Sequence, residues 1–589
     1  MSRRAGVAVL AVTLLATGVA TPVANAGPPR PPTPEPNFAT TILPRPCAYE
    51  GKDPYEREFY EREGWPGPDY ERYPGACQRL RFSYGPIVVK PGQNDVLIGP
   101  VTIEKPVQNG YITRFEPNLV RADGTVPPTE RVHLHHGTWL SAPDYGSGPF
   151  FAAGEEKTIA PFPKGYGMPV KATDQWLLLY MVHSAVQQPM EMFITYDVDF
   201  VPQAKAAQAG IKPAYPVWLD VRPSAYPVFN TQRDYGGADG TCTWPKEECA
   251  SFDPWGDKFT GQGQPGNDVG TDLRLPARGQ PLGRIPSFQG GTLIGIGGHV
   301  HPGGLQNEID LVRSGRSERI YTGKPVYWDR GDTSQPGGPP NTWDFSMRVT
   351  GLPNWGVKVE PGDVLRSNAT YDTTQQSTYE NMGIAVTLLA PDKPDGTPTA
   401  PGLDPFSAPK DTSEGCSSGG LTAGTLCDKG VVTHGHLPEN DNYGGPDGTW
   451  NAQRGSATSN VAIANFLYLP GDLTTLSMTG VPTVKLGSTL RFTNAEGGLI
   501  YHTATSCAFP CKGETGTSFP LADGETSAGR QLDFDSSEMG FGAPAIGPAK
   551  QSLNYDLPVT REEGYQPGEI VTYYCRIHPS MRGAFEVVE

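Results

Sequence analysis

The sequence predicts an all-β protein, and three observations carry that expectation. Glycine and proline number 72 and 61 in 589 residues, a density of turn formers that cuts the chain into short segments. The segments between them are rich in β-branched and aromatic residues, as in WLLLYMVHS (176–184) and MEMFITYDVDFV (190–201), a composition that suits half-buried strands. Long stretches of 3.6-residue apolar periodicity, the mark of helices, are scarce. At roughly 100–200 residues per domain, the length implies three or four domains.

Taken in order, residues 1–26 read as a secretory signal peptide. Two arginines lead an apolar run, and Ala24-Asn25-Ala26 supplies a small-x-small cleavage pattern. The chain is thus expected to be secreted. No later apolar run reaches the roughly 18 residues that a membrane-spanning helix needs. Residues 27–80 divide into a proline-rich linker, GPPRPPTPEPNFAT (27–40), and a charged, tyrosine-rich stretch expected to form a disulfide-clipped cap. Strand-like text fills 81–205. The next block, 206–392, opens with a turn-rich bridge, and its strands run from GTLIGIGGHVH (291–301) to YENMGIAVTLLAP (379–391). Residues 393–454, rich in Pro, Gly, Ser, Thr and Asp, are expected to be a second linker. The last block, 455–589, holds ANFLYL, TVKLGSTLRFTN and EIVTYYC, all short strands.

The formal net charge of -16 argues against a nucleic-acid partner. Eight of the nine cysteines fall into sequence-local couples: Cys47 with Cys77, Cys242 with Cys249, Cys416 with Cys427, and Cys507 with Cys511. Local pairing is the simplest connectivity in an oxidising compartment, and other pairings stay open. Cys575 is left over, and an odd thiol in such a compartment needs a reason.

YYCRIHPSMRG (573–583) supplies one. It sets Cys575, His578 and Met581 three residues apart. Alternation along EIVTYYC places Val571, Tyr573 and Cys575 on one strand face, and the loop that follows can bring His578 and Met581 to the same point. The histidine upstream in this block is His502. Two imidazoles, a thiolate and a thioether make the ligand set of blue-copper electron transfer, and a metal holds a coordinated thiol deprotonated. YYCRIHPSMRGAFEVVE resembles the end of a cupredoxin, with a Cys-x2-His-x2-Met-Arg-Gly spacing most similar to amicyanin; GVPTVKLGSTLRFTNAEGGLIYH (480–502) resembles the strands before a cupredoxin's first histidine. The resemblance implies a Greek-key β-sandwich over 455–589 with one type 1 copper on His502, Cys575, His578 and Met581. The interval between His502 and Cys575 is long and carries the Cys507/Cys511 couple, so enlarged loops over the copper are expected.

The other histidines also cluster: RVHLHHGTWL (His133, His135, His136), LLYMVHSA (His183), IGGHVHPGG (His299, His301) and THGHLPEN (His434, His436). Residues two apart on a strand share a face, so His299 pairs with His301 and His133 with His135; His136 points the other way unless a bulge re-aims it. HHGTWL, VHSAVQQPMEMFITYDVDF, GGHVHPGGLQNEIDL and TYENMGIAVTLL are similar, in order and kind, to motifs of the copper type II, ascorbate-dependent monooxygenases, the family of peptidylglycine α-hydroxylating monooxygenase and dopamine β-monooxygenase. The resemblance spans about residues 80–392. It implies two tandem β-sandwich domains, 81–205 and 206–392, each with a type 2 copper. His135, His136 and His183 would hold the first, an electron store. His299, His301 and Met382 would hold the second, where dioxygen is used to hydroxylate a C–H bond. His133 leaves open whether the first site uses 133/135 or 135/136. His434 and His436 fit either a metal contact or a linker.

Two functions follow. In the first, a type 1 copper domain receives single electrons from a small redox protein or small-molecule reductant. It feeds a monooxygenase-like module that hydroxylates a substrate with O2. In the second, the first two sandwiches are a non-catalytic scaffold or copper-holding module. A multicopper oxidase is set aside, since that class joins a His-Cys-His motif to its blue copper and here Tyr574 and Arg576 flank Cys575.

Overall fold

Strands form where the text is rich in β-branched and aromatic residues, and some run through Gly and Pro, as at Gly85-Pro86 and Gly99-Pro100. The computed structural model describes residues 41–42, 47–49, 57, 60–61, 63–90, 98–127, 132–142, 149–154, 159–184, 189–221, 229–231, 241–244, 272–300, 304–324, 355–372, 378–411, 426–427, 454–464, 467–473, 481–495, 502–507, 534, 536, 539, 552–575 and 581–589. Among them the fold is all-β apart from short helical turns. The expected signal peptide lies outside these residues, as do His301, His434, His436, His578, Cys249, Cys416 and Cys511. No helix among the described residues is long and apolar enough to cross a membrane.

Eight strands build the first pair of facing sheets: β1 (Gln78–Val89), β2 (Ile98–Ile103), β3 (Gly110–Arg121), β4 (Val132–Ala142), β5 (Phe151–Gly154), β6 (Tyr166–Val170), β7 (Gln175–Ser184) and β8 (Met190–Pro202). One sheet has the central order β1-β8-β3-β6 and the other β2-β7-β4-β5. Even-numbered positions of β8, from Met192 to Phe200, enter the core between them and meet Leu134 and Trp139 of β4 and Trp176 and Leu178 of β7. After β8, helix α1 (Gln203–Ala209) ends at Gly210, whose φ of 69° is the left-handed cap that glycine adopts without strain.

The odd face of β8 is buried too, because the segment around Cys47–Cys77 covers it. That segment is closed by the expected Cys47–Cys77 disulfide and carries a small core of Tyr49, Tyr60 and Trp65. Under it lies Asp199, fully buried. Arg79 donates to both its oxygens, at 2.6 and 3.0 Å, and Arg72 donates to Asp199 and to the Tyr60 hydroxyl. Burial works against the charged carboxylate, but the Arg79 and Arg72 guanidiniums outweigh it and hold the Asp199 carboxyl below its ordinary range.

The second pair of sheets uses β9 (Tyr215–Asp220), β10 (Thr241–Trp244), β11 (Gly291–Val300), β12 (Gly304–Arg313), β13 (Arg316–Gly323), β14 (Val357–Val359), β15 (Val364–Asp372) and β16 (Gly383–Pro391). The sheet orders are β9-β16-β11-β14 and β10-β15-β12-β13. The first of these is buried on both faces. Leu293, Ile296, Ala385 and Leu389 enter its own core, whereas Ile294, Leu388 and Ala390 join the core of the preceding sandwich. This explains why β11 and β16 read as nearly continuous apolar runs.

The third pair comprises β17 (Arg454–Ala457), β18 (Asn460–Ala464), β19 (Leu467–Leu469), β20 (Val481–Lys485), β21 (Ser488–Asn494), β22 (Thr505–Cys507), β23 (Asn554–Val559), β24 (Ile570–Tyr574) and β25 (Arg582–Val588). Their orders are β17-β20-β25-β24-β22 and β19-β18-β21-β23. Val461, Ile463, Leu490 and Phe492 meet Val571, Tyr573, Phe585 and Val587 between the sheets.

Candidate metal centres

The site in the third sandwich is built by strand register. β24 keeps the inward face of Val571 and Tyr573 running to Cys575, and all three lie in the core. Tyr574 pairs with Arg582, and the Cys575 N–H donates to the Met581 carbonyl at 3.0 Å. Those contacts bring Cys575 and Met581 together, each fully buried. His578, between them in sequence, lies outside the described residues. From the other side, Thr505 of β22 pairs with Tyr574, which draws His502 alongside Cys575. An isolated bridge fixes His502: its N–H donates to the Met539 carbonyl at 3.3 Å, and its carbonyl accepts from the Met539 N–H at 2.7 Å.

The result is a fully buried pair with Cys575 Sγ 3.9 Å from His502 Nδ1. Donors at about 2.3 Å (S) and 2.0–2.1 Å (N) from one ion span this gap at an angle of about 127°, so the two atoms are spaced as ligands of a single metal. The Thr503 N–H donates to the same sulfur at 3.3 Å, which favours thiolate over thiol. Thr503 is held in turn by the Tyr468 hydroxyl on its carbonyl, at 2.5 Å. Burial raises the Tyr468 hydroxyl pKa, with the nearby Cys575 adding to it, so it stays a donor. Asn494, also buried, donates to the Met539 carbonyl at 2.8 Å. Copper fits this donor set: a soft thiolate and an imidazole in contact range, with the Met581 thioether buried in the same cluster. Sequence reasoning missed Thr503, Tyr468, Asn494 and Met539. Two of the four, Thr503 and Met539, act through backbone groups, which every residue type shares.

In the first sandwich the histidine run lies on β4, opposite β7. Leu134 pairs with Val182 and His136 with Met181, so two residues on one strand advance against one on the other. His135 is the extra residue, and β4 carries a bulge there, the device that re-aims a side chain. The His135 and His136 rings meet at 4.4 Å between centroids and 67° between planes, and both are buried. His133 and His183 occupy directly opposed register positions; their side chains lie outside the described residues.

In the second sandwich, β11 brings His299 to the sheet end where Val300 pairs with Gly383. Met382, the residue before Gly383, is buried, and the Tyr371 hydroxyl bonds both its N–H (2.9 Å) and its carbonyl (2.6 Å). The structure therefore places His299 and Met382 at one sheet end. It also brings together residues from the two sandwiches: the His136 and His299 rings lie 5.6 Å apart at 77°. Between the same two sandwiches, and lined by neither histidine, is a cavity of about 20 Å³ with apolar walls that include Phe115, Phe151, Phe162, Met168, Val386 and Leu388. It has room for a single molecule of water or dioxygen size.

No family model and no curated protein matches the chain. Among solved structures it is similar to a copper-containing nitrite reductase from Thermus scotoductus SA-01, at 13% identity over 51% of this chain and 54% of that one, TM-score 0.14. It is also similar to a mutant of Bacillus subtilis oxalate decarboxylase, at 6% identity over 54% of this chain and 70% of that one, TM-score 0.09. The coconut allergen cocosin matches at 8% identity over 61% of this chain and 86% of that one, TM-score 0.11. The chain spans about half the length of the nitrite reductase. Overlaps this slight carry no functional argument, and the chemistry rests on the residues themselves.

Proposed function

We propose that the chain is a secreted copper-binding redox protein. In this reading a type 1 site on His502, Cys575, His578 and Met581 serves electron transfer. It supplies a type 2 copper module in the first two sandwiches that hydroxylates a substrate with O2. The carrying observation is the buried approach of Cys575 Sγ to His502 Nδ1, with the Thr503 N–H on the sulfur. Bound copper would supply one-electron redox chemistry at each site. The protein's part at the third sandwich is to keep the donors in place. Met539 pins His502 by two backbone hydrogen bonds, the Cys575 N–H ties the thiol end of β24 to Met581, and Tyr468 braces Thr503. Complete burial excludes water from the pair, and a fixed, dry frame keeps reorganisation small. At the second sandwich, Tyr371 holds the backbone of Met382 at the sheet end shared with His299. A small redox protein or small-molecule reductant would be the electron donor.

One observation favours the second reading, a non-catalytic copper protein. The His136 and His299 rings are in contact, so each closes one side of the other to an incoming organic substrate. Metal analysis with optical and spin-resonance spectra of the copper-loaded chain separates the possibilities. A band near ~600 nm with type 2 signals supports the first reading, and reductant-dependent oxygen uptake lost in Met382→Ala supports hydroxylation. A blue signal alone, with no uptake, supports a carrier. A colourless oxidised protein refutes the type 1 assignment.

A further inference from the structure

We infer that His136 and His299 belong to one metal centre that joins the first two sandwiches, in place of two separate centres with one in each. The inference rests on the reading that these histidines bind copper, and it changes how many ions they bind and what the ion does.

Two independent features of the backbone deliver these rings to the same place. On β4, the extra residue at His135 shifts the alternation, and His136 emerges buried on the strand beyond it. On β11, the sheet is buried on both faces. Leu293 and Ile296 face the second core while Ile294 reaches the first. Beyond the register shift at Ile294, the positions alternating with Ile296 are Gly295, Gly297 and His299, so His299 lies on the face turned toward the first sandwich. Two glycines precede it on that face, which leaves the space beside the imidazole clear of side chains from its own strand.

The spacing suits a shared ion. A donor nitrogen sits about 1.1 Å from its ring centroid and about 2.0 Å from a bound metal, so each centroid lies about 3.1 Å from the ion. Two imidazoles on one ion then have centroids no more than about 6.2 Å apart, and the observed 5.6 Å corresponds to about 130° at the metal. The His135 ring, 4.4 Å from His136, flanks the pair. Two separate dications on rings this close would repel each other in a buried, weakly screening space, whereas a single ion is stabilised by both. It would also cross-link β4 to β11, making metal binding and sandwich docking one event.

The test uses the full chain loaded with Cu(II) alone. The variants are His136→Gln, His299→Gln and the double variant, measured by metal analysis and quantified spin-resonance spectra. The blue band of the third sandwich serves as a fold check on every variant. One shared centre predicts that each single substitution removes or weakens, about tenfold or more, the same type 2 component, and that the double variant loses nothing further. Separate centres predict that the singles remove different components and the double removes both, which overturns the inference and leaves the type 2 copper reading intact. A wild-type chain with blue copper but no type 2 signal overturns both together.

Discussion

Replacing Cys575 by serine probes the feature on which the copper reading most depends. In the structure its sulfur is fully buried, 3.9 Å from His502 Nδ1, and accepts the Thr503 N–H at 3.3 Å. A serine hydroxyl stays protonated at neutral pH and is a poor ligand for copper, whereas a coordinated thiol is held as thiolate. The band near ~600 nm, which requires the thiolate, should vanish, with the type 2 spin signal unchanged. The thermodynamic consequence follows by linkage. Copper at a hundred times its Kd adds about 2.7 kcal/mol to the unfolding free energy of whatever holds it. If the substitution weakens binding a thousandfold, the same copper concentration adds only about 0.1 kcal/mol. Without metal the two proteins should differ by about 1 kcal/mol or less, because the serine hydroxyl can still accept from Thr503. Urea titrations followed by near-ultraviolet dichroism, with and without Cu(II), measure both quantities. A persistent blue band, or equal stabilisation of variant and wild type by copper, would refute the assignment.

Asp199→Asn should cost about 3–5 kcal/mol in urea unfolding, since it strands the buried Arg72 and Arg79 charges without their partner. The wild-type carboxylate, held below its ordinary range by those two guanidiniums, adds stability that is complete above that range and lost as pH falls through the depressed value. Wild type should therefore lose more stability than Asp199→Asn between pH 6 and about 2, and parallel curves would contradict the ion-pair account. The double substitution Cys47→Ser, Cys77→Ser opens a loop of separation 30 and should destabilise by about 3.6 kcal/mol from chain entropy, seen as a lower urea midpoint that reductant shifts less than it shifts the wild type's. Tyr468→Phe removes the donor to the Thr503 carbonyl and should cost about 1–2 kcal/mol while copper stoichiometry stays at the wild-type value; loss of bound copper would show that Tyr468 does more than brace Thr503.

What could be read from the sequence was whatever depends on spacing along one strand. Alternation through EIVTYYC suffices to send Cys575 inward, and a bulge that re-aims His136 could be named as a possibility from the adjacent histidines alone. The meeting of His136 with His299 could not be read, because it depends on how two separate sheets dock through Ile294, Leu388 and Ala390. Asp199 illustrates a different limit. Its alternation with Val198 and Phe200 marks an outward face, and only the covering segment held by Cys47–Cys77 makes that face interior. The hydrogen bonds from Thr503 and to Met539 leave no trace in the sequence, since peptide groups carry no side-chain signature.

The order of β17-β20-β25-β24-β22 has a consequence for how the third sandwich matures. Its middle strand, β25, comes after all the others along the chain, and it zips parallel to β20 and antiparallel to β24. Until synthesis has delivered it, β20 and β24 have no common neighbour and the Met581 carbonyl is not there to receive the Cys575 N–H. A nascent chain thus carries Cys575 unburied beside the Cys47 and Cys77 thiols that form a disulfide, and the arrival of β25 closes Cys575 off from exchange. Slowing that last addition should favour scrambled disulfides involving Cys575 over correctly matured protein.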